Sequence, residues 1–371
     1  MSNIQETTLE INLAHLSHNF RYIKSKIANG VKMLAVVKAS GYGSDAIVIA
    51  KHLEKIGADY LAVAYTAEGI ALREAQVQIP ILVLHPQPVN FSKLIEHRLE
   101  PNVYSFRTLQ HFIKAATALH QTDYPVHIKF NTGLNRIGFS NNDIPLILSE
   151  IDQSQALKIV ALLSHLAASE DHDEKDFTTT QIKTFQEIAD KMNVGLGYRP
   201  MLHLSNTSGI LNYQKAHFDM VRSGIGLYGY GNEAKYDQAL KPVASLKSVI
   251  SQIHILAPGD SLGYNRAFKA TDTTKTATIP IGHADGISRN FGKANGFVTI
   301  GQQRAYILGN VCMDMIMVDV TQIDCQEGDE VVIFDATTNA AQVAEFSGTI
   351  SYELLTAVSS RVKRVVIADK L

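Results

Sequence analysis

Between about residues 30 and 230, short apolar runs alternate with amphipathic segments, and this alternation restricts the possible folds more than any other feature of the chain. Runs rich in Val, Ile and Leu that alternate with helix-length segments are typical of βα units and a parallel sheet. Eight runs are predicted to be strands: 32–38, 60–65, 79–85, 100–105, 126–131, 160–165, 201–204 and 220–225. Eight parallel strands close a barrel that commonly takes ~200 to 250 residues. The sequence therefore predicts an α/β protein with a (β/α)8 TIM barrel.

The segments between these strands carry local helix signals. Ser44 or Asp45 can cap a helix whose apolar residues recur at helical spacing, and Gly57 can end it. Further helices are predicted at 67–76, 106–120 and 178–192. The acidic run 170–176 lies between a strand and a helix. We interpret it as a solvated loop, with a metal site as the less favoured alternative.

After about residue 238 the sequence changes to β-rich segments that are broken by Gly and Asp turns. These segments are 277–281, 296–300, 304–308, 315–320 and 330–334. We predict that residues 10–237 form the barrel and that residues 238–371 form a C-terminal β domain. The opening segment 7–12 is also predicted to be a strand, and residues 1–9 can join the second domain.

Charge and cysteine content narrow the classes of function. The chain has 34 basic and 36 acidic residues without a dense basic cluster. This argues against a nucleic-acid or membrane partner and favours a small-molecule substrate. The two cysteines, Cys312 and Cys325, predict neither a disulfide framework nor a metal site. The N-terminus lacks signal-peptide features and no stretch approaches the ~20 apolar residues of a membrane helix, so we expect a cytoplasmic protein.

A lysine follows the first predicted strand of the barrel in the segment V-V-K-A-S-G-Y-G, residues 36–43. Lys38 then lies at the carboxyl end of a strand, where barrels place their active sites. Burial behind an apolar strand lowers a lysine pKa and makes the neutral amine available as a nucleophile or base. A solvated lysine is the commoner explanation of one such residue, so the interpretation depends on its neighbours.

Polar side chains, each followed by Gly or Ser, lie at other strand ends of the predicted barrel. They are Lys129 with Arg136, His165, His203 with Asn206, and Arg222. Together they predict one polar mouth above a packed barrel. The small residues of 205–209 and 223–226 allow backbone N–H groups to approach a phosphate. Because the chain has no G-x-x-x-x-G-K motif, we do not expect that phosphate to belong to a nucleotide.

The motifs resemble those of alanine racemase over nearly the whole chain. They are K-A-x-x-Y-G at 38–43, S-L-G-Y at 261–264 and G-N-V-C-M-D at 309–314. The resemblance implies a pyridoxal-phosphate barrel followed by a β domain. It also implies an isomerase that interconverts L-alanine and D-alanine, supplies D-alanine for peptidoglycan, and forms a homodimer with shared active sites.

The same resemblance assigns residues to the cofactor. Lys38 would bind it covalently, Tyr42, Thr207, Gly224, Ile225 and Tyr352 would contact its phosphate, Asn206 would lie close by, and His165 would lie beside the pyridine ring. Arg222 would face the pyridine nitrogen. A guanidinium stays protonated and leaves that nitrogen as an acceptor, so the cofactor is a weaker electron sink and racemisation is favoured over transamination.

Racemisation needs an acid/base group on each face of the substrate, and the resemblance assigns Lys38 and Tyr264, the latter from another subunit. An ordinary tyrosine pKa near ~10 makes a poor base, so nearby groups must assist it, and Arg136 and His165 are the candidates. Met313, also from the partner, would contact the substrate carboxylate with Arg136. Lys129 can be carbamylated in the family, which orients Arg136.

Three segments depart from the family pattern. Residues 39–45 read A-S-G-Y-G-S-D in place of A-N-A-Y-G-H-G, which we expect to change helix capping only. His283 replaces a tyrosine of the substrate access channel, which bears on access and on the pH profile. Residues 359–364 read S-S-R-V-K-R in place of S-Y-R-V-P-R, and we interpret this change as peripheral.

Other functions remain open at the level of the sequence. A racemase for serine, lysine or a broader range is one alternative, although Tyr352 would restrict the substrate side chain and favour alanine. A fold-related amino-acid decarboxylase is disfavoured because Arg222 takes the place of the acidic residue that such enzymes use. A non-catalytic pyridoxal-phosphate carrier would lack the β domain that carries Tyr264 and Met313.

Overall fold

Eight parallel strands form one sheet of the structure, a computed structural model that describes residues 6–367. The chain begins with strand β1 (Thr8–Asn12) and helix α1 (Leu13–Lys24). The parallel strands follow as β2 (Lys32–Val36), β3 (Tyr60–Val63), β4 (Ile81–Val83), β5 (Glu100–Val103), β6 (Tyr124–Lys129), β7 (Leu157–Leu163), β8 (Met201–His203) and β9 (Met220–Ser223). Their order in the sheet is β8-β7-β6-β5-β4-β3-β2-β9. The eight predicted strands and the barrel fold are confirmed.

Two backbone hydrogen bonds join the outer strands β8 and β9 and bring the sheet nearly to closure. Asp219 N–H donates to the Leu202 carbonyl and Arg222 N–H donates to the Ser205 carbonyl, each at 3.1 Å. The strand residues are buried almost throughout. Because the carboxyl ends of all eight strands meet at one end of the barrel, the residues that follow them surround a common mouth.

Helices cover the outside of the barrel and connect its strands. They are α2 (Lys38–Tyr42), α3 (Ala46–Lys55), α4 (Thr66–Glu74), α5 (Phe91–Glu96), α6 (Phe106–Ala118), α7 (Ile144–Ser154), α8 (Lys175–Leu196), α9 (Thr207–Asn212) and α10 (Ala234–Asp237). The Asp45 side chain caps α3 by accepting from Ile47 and Val48 N–H at 3.0 Å, and Gly57 follows with φ +95°. Within residues 6–367, no helix is both long and apolar enough to cross a membrane.

A second, larger sheet has nine strands, which are β1 and eight strands from the last third of the chain. The elements of that last third are β10 (Ala244–Val249), β11 (Gln252–Leu256), β12 (Ser261–Leu262), β13 (Phe268–Lys269), β14 (Thr274–Ile279), β15 (Phe297–Ile300), β16 (Gln303–Leu308), β17 (Ile316–Asp319), β18 (Glu330–Phe334), α11 (Ala340–Phe346), α12 (Ser351–Thr356) and β19 (Lys363–Ile367). The sheet order is β11-β14-β17-β16-β15-β18-β10-β1-β19, while β12 and β13 pair separately.

Strand β1 lies in this second sheet, far from its neighbours in sequence. Thr8 pairs with Lys247 of β10 in antiparallel register and with Lys363 of β19 in parallel register. Strand β1 therefore ties the β domain to helix α1 of the barrel. Of the segment 1–9 that was predicted to join this domain, residues 1–5 lie outside the described residues.

Candidate active site

A cavity of about 790 Å³ opens at the carboxyl ends of the barrel strands. Most of the residues that the sequence singles out line this one cavity. They are Lys38, Tyr42, Lys129, Arg136, His165, Asn206, Thr207, Arg222, Gly224, Ile225 and Tyr352. Since they come from five strand ends and from α12, the fold brings together side chains that lie far apart in the sequence.

Lys38 does not belong to the preceding strand as predicted, because β2 ends at Val36. Lys38 instead begins α2, in which Ala39, Ser40 and Gly41 have φ values of 54°, 55° and 65°. Positive φ is unfavourable for residues other than glycine, so contacts from elsewhere must hold this left-handed turn. One of them comes from Glu68, whose carboxylate accepts from Ala39 N–H at 2.7 Å.

A second support for this turn comes from the C-terminal segment 359–364. Arg364 donates to the Gly43 carbonyl at 2.9 Å and to the Ser44 carbonyl at 3.1 Å. Arg361 donates to the carboxylates of Asp285 and Asp314, each at 2.7 Å. These two arginines, which the segment shares with the family pattern, fix the lysine-bearing turn and a loop of the β domain, whereas the two residues that depart from the pattern, Ser360 and Lys363, are exposed.

Burial lowers the pKa of Lys38 below the ordinary lysine value, and the positive charge of Arg136 lowers it further. The carboxylate of Glu68 acts in the opposite direction and raises this pKa. The net lowering increases the fraction of neutral amine, which is the form that attacks a carbonyl carbon or accepts a proton.

Gly224, Tyr42 and Tyr228 form a narrow cradle beside Lys38. A Cβ atom on Gly224 would lie 2.2 Å from the Tyr42 hydroxyl, so only glycine lets the two groups approach. The Tyr42 ring stacks on Tyr228 at 4.4 Å, and burial raises the pKa of Tyr42. The backbone N–H groups of Gly224 and Ile225 find no acceptor in the described part of the chain. Neutral hydroxyl and free amide donors of this kind suit a phosphate.

Arg222 extends from β9 across the barrel interior below the mouth. Its terminal nitrogens donate to His203 Nδ1 at 3.0 Å, to the Ser164 carbonyl at 2.7 Å and to His165 Nδ1 at 3.1 Å. Burial and the charge of Arg136 lower the pKa of Arg222 to about 10, so it stays protonated at neutral pH. Over residues 6–367, Arg222 Nε has no acceptor, which leaves one N–H for a ligand.

The cavity carries more positive than negative charge, and its surroundings lower the pKa values of its other bases. Burial, Arg222 and Arg136 lower the pKa of Lys129 to about 7. Burial and Arg222 hold the pKa of His165 well below its usual range. Among the described residues that line the cavity, Glu353 is the only carboxylate. The arrangement favours an anionic ligand.

Asn102 lines the same cavity and was not identified from the sequence. Its side chain is 1% exposed and Nδ2 donates to the Leu84 carbonyl at 2.7 Å, while Oδ1 has no partner in the part of the chain described. A buried acceptor without a partner indicates that a bound group or water supplies the missing donor. Glu68 was also missed, although a glutamate at the third position of a helix is a recognisable capping signal.

Two of the predicted site residues lie outside the barrel cavity. Tyr264 is 72% exposed and Met313 is 59% exposed, both on the β domain. Asn310 donates to the Tyr264 carbonyl at 3.3 Å, so Tyr264 and the loop that carries Met313 are adjacent. His283 lines a different cavity of about 400 Å³. One chain alone therefore does not bring Tyr264 and Lys38 into the same cavity.

Comparison with known proteins agrees with this geometry. Residues 11–232 match the alanine racemase N-terminal domain, and residues 243–366 match the alanine racemase C-terminal domain. Alanine racemase of Thermodesulfovibrio yellowstonii is 35% identical over 369 residues, which cover 97% of this chain and 98% of the relative. The alanine racemase structure from Clostridium difficile 630 matches with a TM-score of 0.92 at 34% identity, over 99% of this chain and 97% of that one.

A further solved structure bears on the cofactor. Alanine racemase from Bartonella henselae, with covalently bound pyridoxal phosphate, is 26% identical and matches with a TM-score of 0.88, over 98% of this chain and 99% of that one. With both domain families matched in order and relatives aligned over nearly their full length, the chain belongs to the alanine racemase family.

Proposed function

We propose that this chain is an alanine racemase, which interconverts L-alanine and D-alanine with pyridoxal phosphate. The observation that carries the proposal is the convergence of three groups in one cavity. They are a half-buried amine with a lowered pKa at Lys38, a phosphate cradle at Gly224 and Tyr42, and an Arg222 Nε–H that has no acceptor within residues 6–367. A nucleophilic amine, an anion site and a donor for a ring nitrogen match the three ends of this cofactor.

The residues present fit pyridoxal phosphate. Lys38 would bind it covalently, Tyr42, Thr207, Gly224, Ile225 and Tyr352 would hold its phosphate with Asn206 close by, and Arg222 would face the pyridine nitrogen beside His165. When bound, the cofactor withdraws electrons from the substrate Cα and makes its proton removable. Because Arg222 stays protonated, it keeps the ring nitrogen an acceptor. This weak electron sink favours racemisation over other reactions of amino acids and disfavours a decarboxylase.

Lys38 is the base on one face of the substrate. Its lowered pKa keeps a larger share of the amine neutral, so Nζ can take the Cα proton and return it. Arg136 lines the cavity and would bind the substrate carboxylate as a charge-assisted pair. Met313 of the partner subunit would contact the same carboxylate. Tyr352 also lines the cavity and would restrict the substrate side chain, which favours alanine over serine or lysine.

Lys129 would support Arg136 as a carbamate. Its pKa of about 7 leaves much of the amine neutral at physiological pH, and only the neutral amine adds to CO2. The product carries a negative charge among Arg222, Arg136 and Lys38, the three groups whose charges lower this pKa. A negative group at that position would stabilise the surrounding cations and orient Arg136.

The second base would come from a homodimer. Tyr264 is exposed on the β domain and lies outside the barrel cavity of its own chain, so the partner subunit's Tyr264 would complete the site. It would donate or accept the Cα proton on the face opposite Lys38. A cytoplasmic location and a role in supplying D-alanine for peptidoglycan also form part of the proposal, and the family relationship supports them.

The proposal is tested by following the optical rotation of L-alanine and D-alanine, with serine and lysine in parallel. We expect alanine to be converted in both directions and fastest. Lys38→Ala should abolish turnover and the absorbance of covalently bound cofactor. Tyr264→Phe should abolish turnover and keep that absorbance, while Tyr306→Phe, at another exposed tyrosine of the β domain, should change neither. Full activity of Tyr264→Phe would eliminate the two-base scheme, and conversion of serine or lysine alone would reassign the substrate.

A further inference from the structure

We propose that Glu100 and His127 are positioning residues, which hold Arg222 through His203 by a relay of hydrogen bonds inside the barrel. The relay would keep the Arg222 Nε–H directed into the cavity. Its catalytic consequence rests on the proposed racemase function, whereas the relay itself can be tested without cofactor or substrate.

The relay runs from the amino end of the barrel towards its mouth. Glu100 is the first residue of β5, His127 lies in β6 and His203 ends β8. His127 Nε2 lies 2.7 Å from the Glu100 carboxylate, and His127 Nδ1 lies 3.1 Å from His203 Nε2. His203 Nδ1 in turn lies 3.0 Å from Arg222 Nη1. Both imidazole rings are completely buried, so water does not substitute for these contacts.

The end groups determine the direction of every hydrogen bond in the relay. Arg222 can only donate, so His203 Nδ1 must carry a lone pair. Burial and the charge of Arg222 hold the pKa of His203 well below its usual range, so this ring is neutral and its single proton is on Nε2. That proton is donated to His127 Nδ1, which leaves the His127 proton on Nε2, where the Glu100 carboxylate accepts it. Four groups thus share one consistent orientation.

The relay also accounts for the charge of Arg222. Its side chain is buried at 5% exposure, and within residues 6–367 it forms no ion pair with a carboxylate. A buried cation with only neutral acceptors is destabilised by lost hydration. The Glu100 carboxylate provides negative charge at the far end of two polarisable rings. Cooperative polarisation along such a chain strengthens each bond in it.

The functional consequence concerns the choice of reaction. The weak electron sink that favours racemisation requires Arg222 to stay at the pyridine nitrogen. Loss of the Glu100 charge would loosen Arg222, although Glu100 lies at the opposite end of the barrel from the cofactor. The rate of a side reaction would then increase. In this reaction the amino group of alanine is transferred to the cofactor, which gives pyruvate and pyridoxamine phosphate. This transfer is balanced, because alanine is oxidised as the cofactor is reduced.

The first test measures ring protonation by NMR on cofactor-free protein labelled with [15N]histidine. We expect His127 and His203 both as neutral Nε2–H tautomers with N–H protons protected from exchange. In Glu100→Gln the His127 N–H resonance should move upfield, since a neutral acceptor replaces a charged one. Asp219→Asn is the matched control, because this carboxylate also lies at the amino end of the barrel but binds Leu202 N–H and Arg199. An Nδ1–H tautomer or a doubly protonated ring at either position would overturn the relay.

The second test compares two reactions of the holoenzyme. In Glu100→Gln the ratio of pyruvate formation to racemisation should rise by about tenfold, the factor that matches one weakened hydrogen bond in the transition state. Misfolding would lower both rates together and leave their ratio unchanged. The control Asp219→Asn should also keep the wild-type ratio. A wild-type ratio in Glu100→Gln would refute the positioning role even if the tautomers are as expected. Absence of racemisation in the wild-type protein would refute the proposed function and leave the NMR result standing.

Discussion

Replacement of Gly224 by alanine tests the phosphate cradle by a purely steric change. The new methyl carbon would lie 2.2 Å from the Tyr42 hydroxyl oxygen, whereas ordinary contacts begin at 3.4 Å. One of the two groups must therefore move by about 1.2 Å.

The displacement is difficult because Tyr42 is confined. It is 7% exposed and stacks on Tyr228 at 4.4 Å. Overpacking of this kind costs ~1–3 kcal/mol. If overpacking destabilises the cofactor-bound state by this free energy, the dissociation constant for pyridoxal phosphate should rise ~10–100-fold. The assay is titration of cofactor-free protein with pyridoxal phosphate, followed by absorbance.

Two further variants separate the cradle from a general effect of the substitution. Gly195→Ala is the matched control, because its Cβ would meet only the flexible end of Leu148 on the outside of the barrel, and cofactor affinity should not change. In a Tyr42→Phe background the nearest ring carbon would lie 3.1 Å from the new methyl, so Gly224→Ala should weaken binding by less than about threefold. Unchanged affinity in Gly224→Ala, or the same penalty in both backgrounds, would refute the cradle.

Three other outcomes follow from the site. Arg361→Ala leaves the buried Asp285 and the loop at Asp314 without their partner. We expect KM for alanine to rise several-fold with a smaller change in kcat. An unchanged KM would argue against a role of Arg361 in holding this loop. At constant dissolved CO2, the [13C]carbamate signal of Lys129 should grow as pH rises through about 7, because only the neutral amine reacts, and Lys129→Ala should remove it. Arg364→Lys should lower Tm and cofactor affinity together, since it loses carbonyl contacts that hold the left-handed turn; a change in Tm alone would limit Arg364 to stability.

The barrel was predictable because its strands are buried on both faces and therefore appear as continuous apolar runs. The predicted ends of the strands were less accurate. Strand β2 stops at Val36, because the chain at Lys38 turns towards the cavity. Helix α7 was not predicted, because its opening Ile-Pro-Leu-Ile-Leu has the composition of a strand. The left-handed turn after Lys38 opposes the local preferences of Ala39 and Ser40, so only distant contacts determine it.

The site was predictable where polar residues lie at the carboxyl ends of strands, as at Arg222 and Lys129. It was not predictable inside the barrel, where apolar layers are expected and Glu100 and His127 instead form a polar chain. The contacts of Arg361 and Arg364 were not predicted, because their partners lie far away in sequence.

The central claim, that each active site joins Lys38 of one subunit to Tyr264 of the other, is tested most directly by mixing two inactive variants. Lys38→Ala and Tyr264→Phe are unfolded or dissociated together, reassembled and assayed. Shared sites give a mixed dimer with one intact site, so racemisation should recover to about a quarter of the wild-type rate. No recovery from a mixture that contains verified mixed dimers would contradict the account, because a site built within one chain remains defective in every combination.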